Sequence, residues 1–399
     1  MPRTTLARWA VAGCAAALAA IAAPGIATAG TPAGDPGVPA APAAQPDCSL
    51  HDATVTTTAA VDERRTAEFS AYGNSGDDGF GWSGADSSYS VPVSGGRLAW
   101  IFSDTFLGPV APDGSRPLSS PFVNNSIVVE KNGRLHTIIG HDDAGPTGLV
   151  PPAPDNSSWF WFGAGLADHS GHQLDVVALN FVRTGTEAFD FAWQANYLAR
   201  FDTRTWQRTD LVALPSSANI QWSAWLQRQG HDVLVYGVED LGLQKYLHLA
   251  KVLGGDLART DTWRYWDGSG WSRSEQDSAR ILAGVANEMS VTPFRDGYLA
   301  VTQDTSLLFN TQIRGYVACS PQGPFTDIGV LYSMPETGAL GNYGNPDVFA
   351  YNAHEHPELR RGNTIYLTYN VNSFVSDDLY ADASIYRPRF VRVQLSITQ

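Results

Sequence analysis

From about residue 60 onward the chain alternates short apolar runs, rich in β-branched and aromatic residues, with clusters of Gly, Asp, Asn and Pro. Long helix-period stretches do not occur. Apolar runs of this length, bounded by turn residues, read as β-strands, and their density reads as an all-β protein. Five segments share one form: a Gly-containing turn, an apolar strand, and a polar residue at its end. They are GGRLAWIFSD (95–104), GHQLDVVALN (171–180), GHDVLVYGVE (230–239), DGYLAVTQD (296–304) and GNTIYLTYN (362–370). Their last residues, Asp104, Asn180, Glu239, Asp304 and Asn370, recur about every 60–75 positions. Further strands fit between them, among them NNSIVVEK (124–131), RLHTIIG (134–140), NYLARFD (196–202) and IRGYVACS (313–320). A repeat of that length holds four strands, so the pattern predicts a five-bladed β-propeller. A pair of β-sandwiches would not explain five similar units.

The first marker strand belongs to a hairpin. SYSVPV and RLAWIF are β-prone runs, and Ser94-Gly95-Gly96 is the turn between them. A hairpin pairs residues equidistant from its turn. Centred on Gly95, it sets Asp86 opposite Asp104. Directly opposed side chains have Cβ atoms roughly 4.5–5.5 Å apart, and like charges there are destabilising. Two acids kept in that position have a use, or they are solvated at a frayed end. The same construction centred on Asp296 sets Glu288 opposite Asp304, and centred on Gly362 it sets His354 opposite Asn370. In the third unit Trp222 falls near Glu239. The first strand of each propeller blade lines the axis. Asp86, Trp222, Glu288 and His354 are therefore expected around one acidic, partly aromatic pocket, with Glu239, Asp304 and Asn370 as further sugar-binding candidates.

Residues 1–29 read as a secretory signal peptide: Arg3 and Arg8, an apolar run from Trp9 to Ala23, and the small-residue site Ala27-Thr28-Ala29. Val11-Ala12-Gly13-Cys14 resembles a lipoprotein box, but most of the apolar run follows Cys14, on the wrong side for that signal. Residues 30–47 are rich in Pro, Ala and Gly and read as a linker. Residues 48–399 form the expected propeller domain, exported and monomeric. Removing the signal takes away two Arg and no acid, so the net charge moves from −14 to −16. That balance argues against a nucleic-acid partner, and no remaining run is long enough to span a bilayer. Cys48 and Cys319 are the cysteines left in the mature chain, an even pair that suggests one disulfide in an exported protein.

A close carboxyl pair forces its two pKa values apart, leaving one acid protonated and the other ionised. Glycoside hydrolysis needs such a pair. Asp is also common at strand ends, where it caps turns. His354 and His356 read more readily as core-edge or loop histidines than as groups that ligate Ca²⁺ through water or bind sugar hydroxyls. No EF-hand loop, zinc spacing, Walker loop or nucleophile elbow occurs, so no metal or cofactor is expected.

Tyr89-Ser90-Val91-Pro92, WIFSDTFLG (100–108) and NNSIVVE (124–130) resemble the opening of the secreted domain-of-unknown-function families 4185 and 5005. So do NEMSVTPFRDGYLAVTQD (287–304), SPQGPF (320–325), YNAHEHPEL (351–359) and YLTYNVNS (366–373). Members of the first family form glycoside hydrolase family 183, endo-D-arabinanases with five-bladed propellers. The resemblance implies cleavage of arabinofuranosyl linkages in a D-arabinan-like cell-wall polysaccharide, with Asp86 and Asp104 as the catalytic pair. The flanking GWSGADSSYS (81–90) fits the second family better than the characterised arabinanases. A carbohydrate-binding propeller without turnover and an adhesion scaffold are the rival readings. Neighbouring strands favour the roughly 5–5.5 Å carboxyl spacing of retaining enzymes; an acid from across the axis, Glu288, would favour the wider spacing of inverting ones.

Overall fold

The computed structural model describes residues 48–50, 52–76, 79–187 and 189–398. The signal peptide and linker expected over 1–29 and 30–47 lie outside the described residues. Five antiparallel sheets of four or more strands follow one another along the chain. Sheet one holds Tyr89–Val93, Arg97–Phe102, Ser126–Lys131 and Arg134–Ile138. Sheet two runs from Ser158–Ala167 through Gln173–Arg183 and Phe191–Asp202 to Arg208–Ala213. Sheet three starts with Ile220–Gln229, Asp232–Asp240 and Lys245–Val252 and is extended by short Trp-rich strands. Sheet four comprises Met289–Phe294, Gly297–Gln303, Gln312–Ala318 and Thr326–Ser333. Sheet five takes three strands from the end of the chain, Val348–Glu355, Thr364–Ser373 and Pro388–Thr398, and its fourth from the start, Thr54–Val61. That last pairing runs from Thr54 facing Thr398 to Val61 facing Val391, so the two ends of the described chain are sewn together.

In every sheet the second strand is one of the five Gly-turn segments, so the repeat seen in the sequence is a structural repeat. The first strands of sheets one to five pack in succession, each beside the next. The fifth returns to the first, where the His354 ring stacks on Tyr89 at 4.2 Å between centroids. Apolar side chains between neighbouring sheets form the core, with Trp161, Trp222, Tyr236 and Val291 among its fully buried members.

Two features tie the ends of the chain to this frame. Cys48 and Cys319 are bridged, with Cα atoms 5.5 Å apart, inside the range a disulfide requires. A helix, Glu63–Ser75, lies outside sheet one, capped by Asp62 and ended by Gly76 in the left-handed conformation. The sequence pattern did not suggest it because only Arg65, Phe69 and Gly73 on it are buried, a stripe too thin to read. Phe69 nevertheless touches Trp82, Trp100 and Phe390.

The short strand Trp82–Ala85, which carries the chain into Asp86, is held by two buried arginines. Arg116 Nη2 and Arg387 Nε both donate to the Ser83 carbonyl, at 3.0 and 2.9 Å, and the Arg116 guanidinium lies 4.5 Å from the centre of the Phe106 ring. There is no room there for a side chain: a Cβ on Gly84 would sit 2.2 Å from the Tyr386 carbonyl oxygen. Gly84→Ala must push backbone aside, and overpacking of that kind costs about 1–3 kcal/mol or more. We expect a lowered midpoint in urea with an unchanged m-value; a midpoint equal to wild type would contradict the close packing.

Candidate active site

The hairpin of sheet one keeps the register read from the sequence. Tyr89 faces Ile101 and Val93 faces Arg97, and the same spacing resumes beyond the ladder where Ala85 faces Thr105 and Gly84 faces Phe106. Asp86 and Asp104 lie between these two stretches. Their backbones bond across the hairpin: Asp86 N donates to the Asp104 carbonyl at 3.3 Å, and Ser103 N to that of Asp86 at 3.1 Å. Between Asp86 and the ladder the chain makes a costly excursion. Ser87 and Ser88 both have positive φ, 76° and 68°, where L-residues lose roughly 1–2 kcal/mol each. The Ser87 hydroxyl contacts both the Phe162 carbonyl and Glu288 Oε1, at 2.9 and 2.8 Å, and Asn370 Nδ2 donates to Ser88 Oγ at 3.0 Å. This kink brings a third acid, Glu288 of sheet four, against the pair.

All three carboxyls are buried. Tyr351 donates to Asp86 Oδ2 at 2.7 Å, and the Tyr386 phenol lies close to the same carboxyl. Asp104 Oδ1 accepts from Trp161 Nε1 at 2.6 Å and Asn124 Nδ2 at 2.9 Å. Glu288 Oε1 accepts from Asn352 Nδ2 at 2.9 Å as well as from Ser87, while its Oε2 has no such partner. Burial raises Asp86 to about 6, with the Tyr351 and Tyr386 phenols pulling the other way. Burial and then the repulsion of Asp86 push Asp104 well above the ordinary carboxylate range. Glu288 is driven well up by the same two causes. Burial lifts all three, and Asp86, raised only to about 6, is the member that ionises most readily.

A small open cleft is lined by Lys245, Asn287, Asp304, Phe309, Tyr351 and Asn352 among others. Tyr351 and Asn352 in this lining are the residues that hold Asp86 and Glu288, and the acids lie behind them. Among the described residues no group of three His, Cys, Asp or Glu is arranged to hold a metal.

Other expected site residues lie elsewhere. Trp222 is fully buried in sheet three, its Nε1 bonded to Glu275 at 2.8 Å and its ring against Trp263 and Tyr265. It cannot meet a sugar. Glu239 faces Ile220, not Trp222, because the first strand of sheet three bulges between Gln221 and Trp225. Its carboxylate is paired with Arg280 at 2.7 Å. In sheet four Met289 faces Thr302 and Phe294 faces Gly297, one position out of the expected register. The turn has two residues, Arg295 and Asp296, rather than three. A one-residue slip moves side chains to the other face, so Asp304 does not oppose Glu288; it lines the cleft instead.

In sheet five a bulge at Asn352 sets Tyr351, not His354, opposite Asn370, and His354 opposite Thr368. His354 is wholly buried and held neutral by desolvation, with its Nδ1 3.9 Å from Glu288 Oε2. Asn370 is equally buried and braces the backbone under Asp86. Both brace the acids from within the core. Tyr351, Trp161, Asn124 and Asn352 are the residues that sequence reasoning missed. Asn124 and Tyr351 stood in motifs already marked; only the bulged register hid the role of Tyr351.

A family model described as Domain of unknown function (DUF5005) matches residues 67–395. No curated protein matches the chain. Among solved structures, a Bacteroides ovatus protein provisionally described as a hydrolase is similar in fold, with a TM-score of 0.68 and 17% identity over 88% of this chain and 96% of that one. Fainter likenesses include Bacillus subtilis levansucrase (TM-score 0.48, 10% identity, 82% of this chain and 88% of that one). Another is a Bombyx mori β-fructofuranosidase (TM-score 0.44, 13% identity, 84% and 70%). At such scores neither carries an argument about this protein.

Proposed function

We propose that this chain, which belongs to the DUF5005 family, is a secreted, monomeric glycoside hydrolase that cleaves arabinofuranosyl linkages in a D-arabinan-like polysaccharide. The observation that carries the reading is the buried cluster of Asp86, Asp104 and Glu288, two of which are bonded to Tyr351 and Asn352 in the lining of an open cleft. We read the five sheets as blades of a five-bladed β-propeller, with the acids where their first strands converge. The substrate class comes from the family resemblance; the acids themselves suit any furanoside or pyranoside.

The roles follow from protonation and access. Asp86 is the ionised member at neutral pH and acts as nucleophile or as base toward water. Glu288 keeps its proton, and its partner Asn352 reaches the cleft, so it serves as general acid to the leaving oxygen. Asp104, gripped by Trp161 and Asn124, is the fixed neighbour whose backbone bond orients Asp86. Because the acid comes from a different sheet, this assignment favours inversion; a retained first-formed anomer would return the pair to Asp86 and Asp104.

The pH profile tests the roles. Activity should rise with pH through about 6 as Asp86 loses its proton, then fall at higher pH as Glu288 loses its own. A profile flat from pH about 4 to 7 would remove Asp86 as the ionised group. Product chromatography after incubation with D-arabinan, L-arabinan and xylan identifies the polymer.

A further inference from the structure

The cleft extends beyond Tyr351 and Asn352, the residues bonded to Asp86 and Glu288. Its lining also includes Lys245 and Asn287 and the leucines Leu243 and Leu307. The polar groups are preorganised. Lys245 Nζ bonds Asp240 Oδ2 at 2.9 Å and also contacts Asn287 Oδ1, while Asn287 Nδ2 donates to Asp240 Oδ2 at 2.8 Å. Lys245 is mostly buried, and its charge is answered by Asp240. Leu243 and Leu307, by contrast, are 72% and 70% exposed. A lining that combines fixed hydrogen-bonding groups with exposed apolar side chains suits a sugar ring, which offers hydroxyl edges and an apolar face. Charge narrows the ligand further. The Lys245 ammonium is already neutralised, Asp304 adds a carboxylate to the lining, and the ionised Asp86 lies behind it. An anionic sugar would meet net negative charge.

We infer that this outer cleft is a second subsite, which binds the hydroxyls of an adjoining sugar in an uncharged glycan through Lys245 and Asn287 and covers its apolar face with Leu243 and Leu307. The inference rests on the hydrolase reading for the position of the first sugar, but its test reads binding. The mature Asp86→Asn chain is titrated calorimetrically with a D-arabinan hexasaccharide, a D-arabinan disaccharide short enough to sit at the acids alone, and an oligogalacturonate.

The hexasaccharide should bind, and Lys245→Met or Leu243→Glu placed in the same chain should each weaken it by about tenfold. Disaccharide affinity should change less than about twofold, and the oligogalacturonate should not bind. Leu243 is exposed enough that its variant tests the idea even if Lys245→Met fails to fold. Unchanged hexasaccharide affinity in the Leu243 variant, oligogalacturonate bound as tightly, or no binding of the hexasaccharide overturns the subsite. If the hexasaccharide binds as described but wild type never cleaves it, the hydrolase reading falls and the subsite stands. If wild type cleaves it and the variants bind it normally, the subsite falls alone.

Discussion

Asp86→Asn should lower kcat by roughly 10⁴-fold or more, because it removes the carboxylate of the cluster that ionises most readily. The substitution keeps the shape of the side chain, and an amide oxygen can still accept from Tyr351. Folding should not suffer. A carboxyl raised from 3.8 to about 6 binds its proton more tightly in the folded state than in the unfolded one. The folded state is therefore not penalised below 3.8, and the penalty grows as pH rises toward and through 6, reaching on the order of 3 kcal/mol once Asp86 is ionised. Wild type should lose stability between these values while the variant loses less, so the variant is at least as stable at neutral pH. Thermal unfolding at acid and neutral pH, together with steady-state rates, checks both halves. A variant that is inactive only because it unfolds would contradict the assignment.

Glu288→Gln should cost roughly 10²–10⁴ in kcat on a polysaccharide, the usual contribution of a general acid. Gln keeps an oxygen for Ser87 and Asn352 but has no proton to give. The loss should shrink on an aryl glycoside whose phenol leaves without protonation, and the alkaline limb of the pH profile should vanish. Asp104→Asn should instead leave the acid limb in place, since burial raises Asp86 and the substituted side chain carries no charge beside it. Equal losses on both substrate types with Glu288→Gln would point to a structural role for that residue.

How far the site could be read from the sequence depended on the turns. Ser94-Gly95-Gly96 gave a symmetric centre, and Tyr89–Val93 with Arg97–Phe102 continue in one register up to the two aspartates. Sheet four failed by one residue because a two-residue turn has no central residue to reflect about. Sheets three and five failed at bulges, near Gln221 and at Asn352, which leave no mark in an apolar pattern. Glu288 was nevertheless found, since the first strand of its sheet was located correctly even with the wrong partner. Trp222 was misplaced for the opposite reason: a Trp on a first strand can face the core as readily as the axis, and composition does not distinguish the two. Tyr351, which bonds Asp86 from four sheets further along the chain, is a long-range contact that no local reading supplies.

The central claim is that Asp86 and its two neighbours hydrolyse a glycan. The most direct test incubates equal amounts of mature wild type and Asp86→Asn with D-arabinan and follows released oligosaccharides by chromatography. Wild type should release oligosaccharides steadily and the variant none above background, with both chains folded by circular dichroism. Release at the same rate by both, or no release by wild type from D-arabinan or from any other wall glycan, would contradict it.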